Sequence, residues 1–141
     1  AGARVLSAVE REAQPDEAQL GAREIAIERV RLANGEPVAL ERGAYAADAF
    51  PGLLDGPLDG SLYELIRARY AEVPVRAVER LEPGLARADE ADALGIDVGA
   101  PVMLVERTAF SAAGRALERS HDVFRGDRTR VVWESEILGT S

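Results

Sequence analysis

The 141-residue sequence contains no cysteine, no lysine and only one histidine, His121. Without cysteine there is no disulfide framework and no thiolate metal site, and a single histidine leaves only carboxylates as further metal ligands. No apolar run approaches the length of a membrane span, and neither a signal peptide nor a glycine-rich nucleotide loop is present. We therefore expect one domain over residues 1–141 that has no metal or cofactor, makes no membrane contact and lies in the cytoplasm.

Long basic runs and a catalytic triad are also absent. The formal net charge is −8, whereas a DNA-binding surface usually carries a basic face or stripe. Ser120 and Asp122 flank His121 in a predicted strand, so their side chains point to the face opposite the imidazole. We therefore predict that this chain does not itself contact DNA and contains no catalytic residue.

Hydrophobic periodicity predicts an α+β domain. Period-two alternation runs from Arg23 to Tyr45 with one interruption at Ala33-Asn34-Gly35, which predicts a β-hairpin. The arrangement favours an antiparallel sheet with helices on one face. Further strands are predicted over residues 3–12, 75–81, 102–111, 115–124 and 129–134, the last anchored by Trp133, and helices are predicted from Ser61 and over residues 86–94.

Arg29 and Arg31 share one face of the predicted hairpin, because alternate residues of a strand point the same way. Two adjacent guanidinium groups suit a phosphate or a carboxylate, although charges on an exposed strand also deter edge pairing. A two-residue Asn34-Gly35 turn would point Glu41 away from the arginines, and a three-residue loop would place it beside them. The local sequence allows both registers.

Two further groups are candidates for ligand contacts. Ser61 and Tyr63 lie at a predicted helix start, where free N–H groups attract anions, but Ser61 also forms a capping box with Glu64. Glu118 and Phe124 share a strand face on which a carboxylate and an aromatic ring suit sugar hydroxyls. An ordinary charge at the rim explains Glu118 equally well.

A set of short motifs, in this order, is similar to the effector-binding (UTRA) domain of GntR-type bacterial transcription regulators of the HutC branch. The set covers about residues 21 to 132. It comprises Arg29-Val-Arg-Leu-Ala-Asn-Gly-Glu-Pro-Val-Ala-Leu-Glu41, Phe50-Pro51-Gly52-Leu53, Gly60-Ser61-Leu62-Tyr63, Glu90-Ala91 with Leu94-Gly95-Ile96, Gly114-Arg115 leading to Glu118, and Arg125-Gly126-Asp127-Arg128.

The resemblance implies a chorismate-lyase-like fold, an antiparallel sheet with helices packed on it. It implies a homodimer that binds DNA only through an N-terminal winged helix-turn-helix domain missing from this chain. It also implies a small anionic effector, a sugar phosphate in preference to a carboxylate, and favours the three-residue hairpin loop. By resemblance, Arg29, Arg31, Ser61 and Tyr63 hold the phosphate, Glu41 and Glu118 face the sugar, and Phe124 replaces a frequent tyrosine.

Two other functions remain open from the residues. The domain could be a chorismate-lyase-like enzyme, in which the arginine pair binds a carboxylate substrate and Glu118 or Glu41 acts as acid or base. It could also be a dimerisation module with a vestigial pocket. In that case, replacing Arg29 and Arg31 with alanine would leave the response to effector unchanged.

Overall fold

The computed structural model describes residues 2–14 and 20–138, which include a six-stranded antiparallel sheet. The strand order is β1-β2-β3-β6-β5-β4, so β1 and β4 form the edges. The predicted α+β fold is confirmed. The strands are β1 (Gly2–Glu12), β2 (Arg23–Ala33), β3 (Glu36–Ala46), β4 (Arg76–Leu85), β5 (Pro101–Phe110) and β6 (Ala116–Arg125), and the α-helices are α1 (Leu62–Arg69) and α2 (Ala88–Leu94).

The β2–β3 hairpin places Glu41 opposite Arg29, but not through a three-residue loop. Asn34 and Gly35 have φ angles of 52° and 78°, as in a two-residue type I′ turn, so the three-residue loop is wrong. The ladder shifts between Arg31 and Leu32, where Val38 is left over as a β-bulge. The bulge, and not the length of the turn, therefore shifts the pairing by one residue and brings Glu41 opposite Arg29.

The two helices pack on opposite faces of the sheet, so the expectation of helices on one face is wrong. Ile66 of α1 packs with Ile27 of β2, whereas Leu94 of α2 packs with Val30 and Leu40. Residues 27 and 30 lie on opposite sides of a strand. Because the central strands carry apolar side chains on both faces, both faces need a cover.

The helix boundaries follow local capping chemistry. The Ser61 hydroxyl accepts a hydrogen bond from the Glu64 backbone N–H at 3.1 Å, as in an N-cap. Gly95 adopts the left-handed conformation, with φ 67°, just past the end of α2. Strand β4, by contrast, continues through Pro83 to Leu85 beyond its predicted end. An edge strand tolerates proline because one of its sides needs no N–H donors.

The predicted last strand over residues 129–134 is wrong. These residues have no regular secondary structure, and Trp133 is 78% exposed and anchors nothing. A 3₁₀ turn over Gly126–Arg128 ends β6, both sides of which are already paired. No continuation of the chain can pair beside β6. Within the described residues, no helix is long and apolar enough to cross a membrane.

Candidate functional site

A cavity of about 600 Å³ lies between one face of the sheet and the start of α1. The strand pairing fixes its floor, because residues directly opposite one another across a ladder share a face. Arg29, Glu41 and Asp122 form one row across β2, β3 and β6. The next row contains Ile27, Gly43, Ser120 and Arg107, and a third contains Ile25, Tyr45 and Glu118.

Arg29 is buried and braces the wall of the cavity. Its Nη1 donates to the backbone oxygens of Leu58 at 2.8 Å and Gly60 at 2.7 Å. Its Nε and Nη2 donate to Glu41 Oε1 at 3.2 and 2.8 Å. These bonds use four of the five guanidinium N–H donors. Arg29 therefore holds the loop that leads into α1 against the sheet.

Arg31 is half-exposed and has donors to spare. Its Nη2 forms an ion pair with Glu41 Oε2, so the Glu41 carboxylate bridges the two arginines. The Arg31 guanidinium carbon also lies 5.8 Å from the centre of the Phe124 ring. Glu41 also accepts two hydrogen bonds from Arg29, so it remains paired when an incoming anion takes its place on Arg31.

The N-terminus of α1 faces the same cavity, which is lined by Gly60, Ser61, Leu62 and Tyr63. The first N–H groups of a helix have no acceptor within the helix and attract negative charge. The Ser61 hydroxyl both caps the helix and lines the cavity. The predicted arginine pair and helix start, 30 or more positions apart in the sequence, therefore meet at one site.

Glu118 lies deep in the cavity beside Tyr45 and Arg107. Burial raises the pKa of the Glu118 carboxyl, while Arg107 and the hydrogen-bonding hydroxyl of Tyr45 oppose the rise. Burial and the charge of Glu118 raise the pKa of the Tyr45 phenol well above its usual value. Tyr45 thus remains a neutral hydrogen-bond donor to Glu118 at physiological pH.

Asp122 has the most strongly perturbed carboxyl group on the cavity floor. Burial, reinforced by the negative charge of Glu41, raises its pKa from 3.8 to about 7. Its Oδ1 atom is buried and has no hydrogen-bond partner among the described residues. A neutral Asp122 can donate a hydrogen bond, and an ionised one can only accept.

Gly43 leaves room for the Tyr45 ring on the cavity floor. A Cβ atom at this position would lie 3.1 Å from Tyr45 Cε1 and 3.2 Å from the Tyr45 hydroxyl. The Tyr45 ring therefore lies across the space that a side chain at residue 43 would occupy. The absence of a side chain at residue 43 lets the ring lie where its hydroxyl bonds Glu118.

Six of the seven predicted ligand contacts line the cavity: Arg29, Arg31, Glu41, Ser61, Tyr63 and Glu118. Phe124 lies beside Arg31 at the end of the same strand face and is outside the lining. His121 lies on the opposite face, with Nδ1 3.6 Å from Glu106 Oε1. The described residues contain no group of three or more metal-ligating side chains.

The site predictions omitted Tyr45, Arg107 and Asp122. Tyr45 lies four residues after Glu41 in β3, and Asp122 lies four residues after Glu118 in β6. Because residues an even number of positions apart in a strand share a face, the period of two was a usable signal for both. Arg107 reaches the cavity through the pairing of β5 with β6, which brings it opposite Ser120. The predicted strands over residues 102–111 and 115–124 are joined by only three residues, which predicts that they pair but not the register that brings Arg107 to this face.

Comparison with known proteins agrees with this architecture. A family model of the UTRA domain matches residues 1–130. The HTH-type transcriptional repressor NagR of Bacillus subtilis is 42% identical over 107 residues, which are 75% of this chain and 44% of NagR. The HTH-type transcriptional repressor PhnF of Mycolicibacterium smegmatis is 34% identical over 110 residues, or 77% of this chain and 45% of PhnF.

Solved structures give the same result. The crystal structure of the effector domain of PhnF from Mycobacterium smegmatis matches with a TM-score of 0.84 and 30% identity, covering 94% of this chain and 87% of that one. The C-terminal domain of a histidine utilization repressor from Pseudomonas syringae shares the fold, with a TM-score of 0.83 and 22% identity over 96% of this chain and 99% of that one.

The fold is that of the effector-binding domains of GntR-type transcription regulators, as the sequence motifs implied. The chain belongs to the UTRA domain family. It spans less than half the length of the two repressors that it resembles.

Proposed function

We propose that the domain senses a small anionic metabolite, a sugar phosphate in preference to a carboxylate, and binds it without turnover. The observation that carries the proposal is the meeting of Arg31 and the N-terminus of α1 in one cavity. Arg31 retains unused N–H donors, and the first turn of α1 offers backbone N–H groups to the same anion. A volume of about 600 Å³ suits a metabolite of this size.

The two arginines have different roles in this proposal. Arg31 contacts the anion directly and releases Glu41 when it does so. Arg29, with four hydrogen bonds already made, holds the loop before α1 and has a single N–H left for the ligand. Ser61 and Tyr63 complete the anion site, while Glu41 and Glu118 face the polar remainder of the ligand. Phe124 supports the Arg31 guanidinium from outside the cavity.

The proposed output is a change in DNA binding by the whole protein. Binding to DNA would reside in an N-terminal winged helix-turn-helix segment outside this chain, in agreement with the acidic net charge of −8. A ligand alters that output only if it binds one arrangement of a homodimer better than another. Support for a homodimer comes from edge strand β4, where Val78, Leu81 and Leu85 are exposed. Sedimentation of the domain at increasing concentration tests the dimer.

The test of the anion site is isothermal titration calorimetry with a panel of hexose phosphates, inorganic phosphate and small dicarboxylates. Arg31→Ala removes a charge-assisted hydrogen bond and is expected to weaken binding at least about tenfold. Arg4→Ala is the matched control, because it removes the same charge from a residue paired with Val30 on the opposite sheet face. Absence of binding by every anion would overturn the proposal.

A second measurement separates sensing from catalysis. The two carboxyl groups with raised pKa values, Glu118 and Asp122, are the ones an enzyme would use as acid or base. We expect each bound metabolite to be recovered unchanged after prolonged incubation, chorismate included. Steady conversion of any of them, abolished by Glu118→Gln, would assign the cavity to an enzyme instead.

A further inference from the structure

Two polar atoms of opposite kind are buried in the cavity wall without a hydrogen-bond partner in the described part of the chain. They are the donor Arg107 Nε and the acceptor Asp122 Oδ1, and both residues line the cavity. Native proteins retain few buried polar atoms in this state, because each has lost water and gained nothing. Such atoms beside a cavity indicate where a ligand supplies the missing partner.

The neighbouring charges do not satisfy either atom. Arg107 Nε lies 3.6 Å from Glu118 Oε1, which is too long for a hydrogen bond, and Glu118 is already bonded to the Tyr45 hydroxyl. Arg29 and Arg31, which could neutralise Asp122, are both bound to Glu41.

The strand register places the two residues on adjacent strands of the same sheet face, beside the anion site. Asp122 is opposite Glu41 on one side and Val105 on the other, and Arg107 is two residues further along β5 than Val105. Arg107 is itself opposite Ser120, which precedes Asp122 by two residues on the same face. The two side chains are therefore diagonal neighbours on adjacent strands.

We propose that Arg107 Nε and Asp122 Oδ1 form a second polar subsite for an uncharged ligand group that both accepts and donates a hydrogen bond, such as a hydroxyl or a secondary amide. The group accepts from Arg107 and donates to Asp122. The inference rests on the proposed function, because the anionic end of the same ligand occupies the Arg31 site. It deepens that function by requiring a ligand with polar groups beyond its anion, and not a simple alkyl phosphate.

Burial of Asp122 supports this choice of partner. With its pKa raised to about 7, Asp122 avoids a second full negative charge beside Glu41, and it suits a neutral ligand group better than a cationic one. The charged groups that face it are Glu41 from β3, Arg31 from β2 and Glu118 from its own strand. Arg107, from β5, lines the same cavity as the diagonal neighbour of Asp122.

The experiment compares hexose 6-phosphates with n-hexyl phosphate, which has the same phosphate and chain length but no other polar group. Affinities of both probes are measured by calorimetry for the unmodified protein, Asp122→Leu, Arg107→Lys and the exposed-loop control Asp97→Leu. The readout is the ratio of the two affinities. We expect Asp122→Leu and Arg107→Lys each to reduce the preference for the best hexose phosphate roughly tenfold. Asp97→Leu should keep the preference.

Different results separate this inference from the proposed function. Arg31→Ala should weaken both probes together and leave their ratio intact. If the unmodified protein binds phosphates but the ratio is the same in all variants, the subsite is overturned and the anion site stands. If no phosphate binds at all, the anion site is overturned and the subsite with it. Arg107→Lys keeps the positive charge, so it provides a second test should Asp122→Leu fail to fold.

Discussion

Replacing Asp122 with asparagine should reduce the pH dependence of the protein's stability. In the folded protein the Asp122 pKa is raised to about 7 by burial and by Glu41, whereas in the unfolded chain it returns to near 3.8. Between these values the folded state binds more protons than the unfolded state, so the free energy of unfolding falls as the pH rises. This contribution is fully present below about pH 4 and is lost as the pH rises through 7.

The size of the effect follows from the shift. A change of one pKa unit corresponds to about 1.4 kcal/mol, so a shift of about three units gives at most about 4 kcal/mol between pH 4 and pH 8. Asparagine is neutral throughout and carries no such dependence. The stability difference between Asp122→Asn and the unmodified protein should therefore grow in favour of the variant from pH 5 to pH 7 and level off near pH 8.

Urea denaturation at one-unit pH intervals from 5 to 8 measures this difference. Asp127→Asn is a control of opposite sign, because Arg125 lowers the pKa of the exposed Asp127 carboxyl. The ion pair between Asp127 and Arg125 stabilises the folded protein above the pKa that Asp127 has in the unfolded chain. Asp127→Asn removes this ion pair and should therefore slightly destabilise the protein at neutral pH. If the Asp122→Asn difference is the same at pH 5 and pH 8, Asp122 is solvated in the folded state and the reasoning is refuted.

Three further substitutions test other parts of the structure. Gly43→Ala should displace the Tyr45 ring, weaken binding of hexose phosphates several-fold and cost about 1 kcal/mol of stability; unchanged affinity in calorimetry would contradict the assignment of the floor. Glu24→Gln removes a fully buried anion that binds Arg119 at 3.1 Å, and should cost about 3 kcal/mol in urea denaturation; a loss under 1 kcal/mol would show that the pair is solvated. Gly35→Val forces a β-branched residue to φ 78° and should cost about 2 kcal/mol by the same assay; an unaltered midpoint would mean that the turn has another conformation.

Local sequence signals sufficed for elements whose cause is local. The position of the β2–β3 hairpin, the Ser61 cap and the Gly95 helix end each depend on one or two residues with special backbone or capping chemistry. The two-residue length of the Asn34-Gly35 turn was not predicted, because the local sequence allows both lengths. The resemblance to a known family also predicted that Glu41 lies beside Arg29. It did so through a three-residue loop, whereas the structure has a two-residue turn and a bulge. A bulge at Val38 has no short sequence signature, so its place in the ladder could not be predicted.

Features that depend on distant pairing were not predictable. Whether a helix covers one face of a sheet or the other depends on which strands become central. Arg107 faces the cavity because β5 pairs with β6 in one register out of several, and the short turn between the two predicted strands indicates their pairing but not this register. Trp133 shows the opposite error, since its side chain suits a strand but both sides of the neighbouring strand β6 are already paired.

The unpaired residue in β3 has a consequence for how this hairpin can diverge. Val38 has no partner across the ladder. The pairs from Arg31–Ala39 to Glu24–Ala46 all lie further from the turn than Val38 does. Deleting Val38 would convert the irregular ladder into a continuous one and keep the same residues opposite one another. The hairpin can therefore lose one residue at this point during evolution while the chemistry of the binding floor stays constant. An insertion or deletion between Leu40 and Tyr45 would instead exchange the two sides of the strand and disrupt both cores at once.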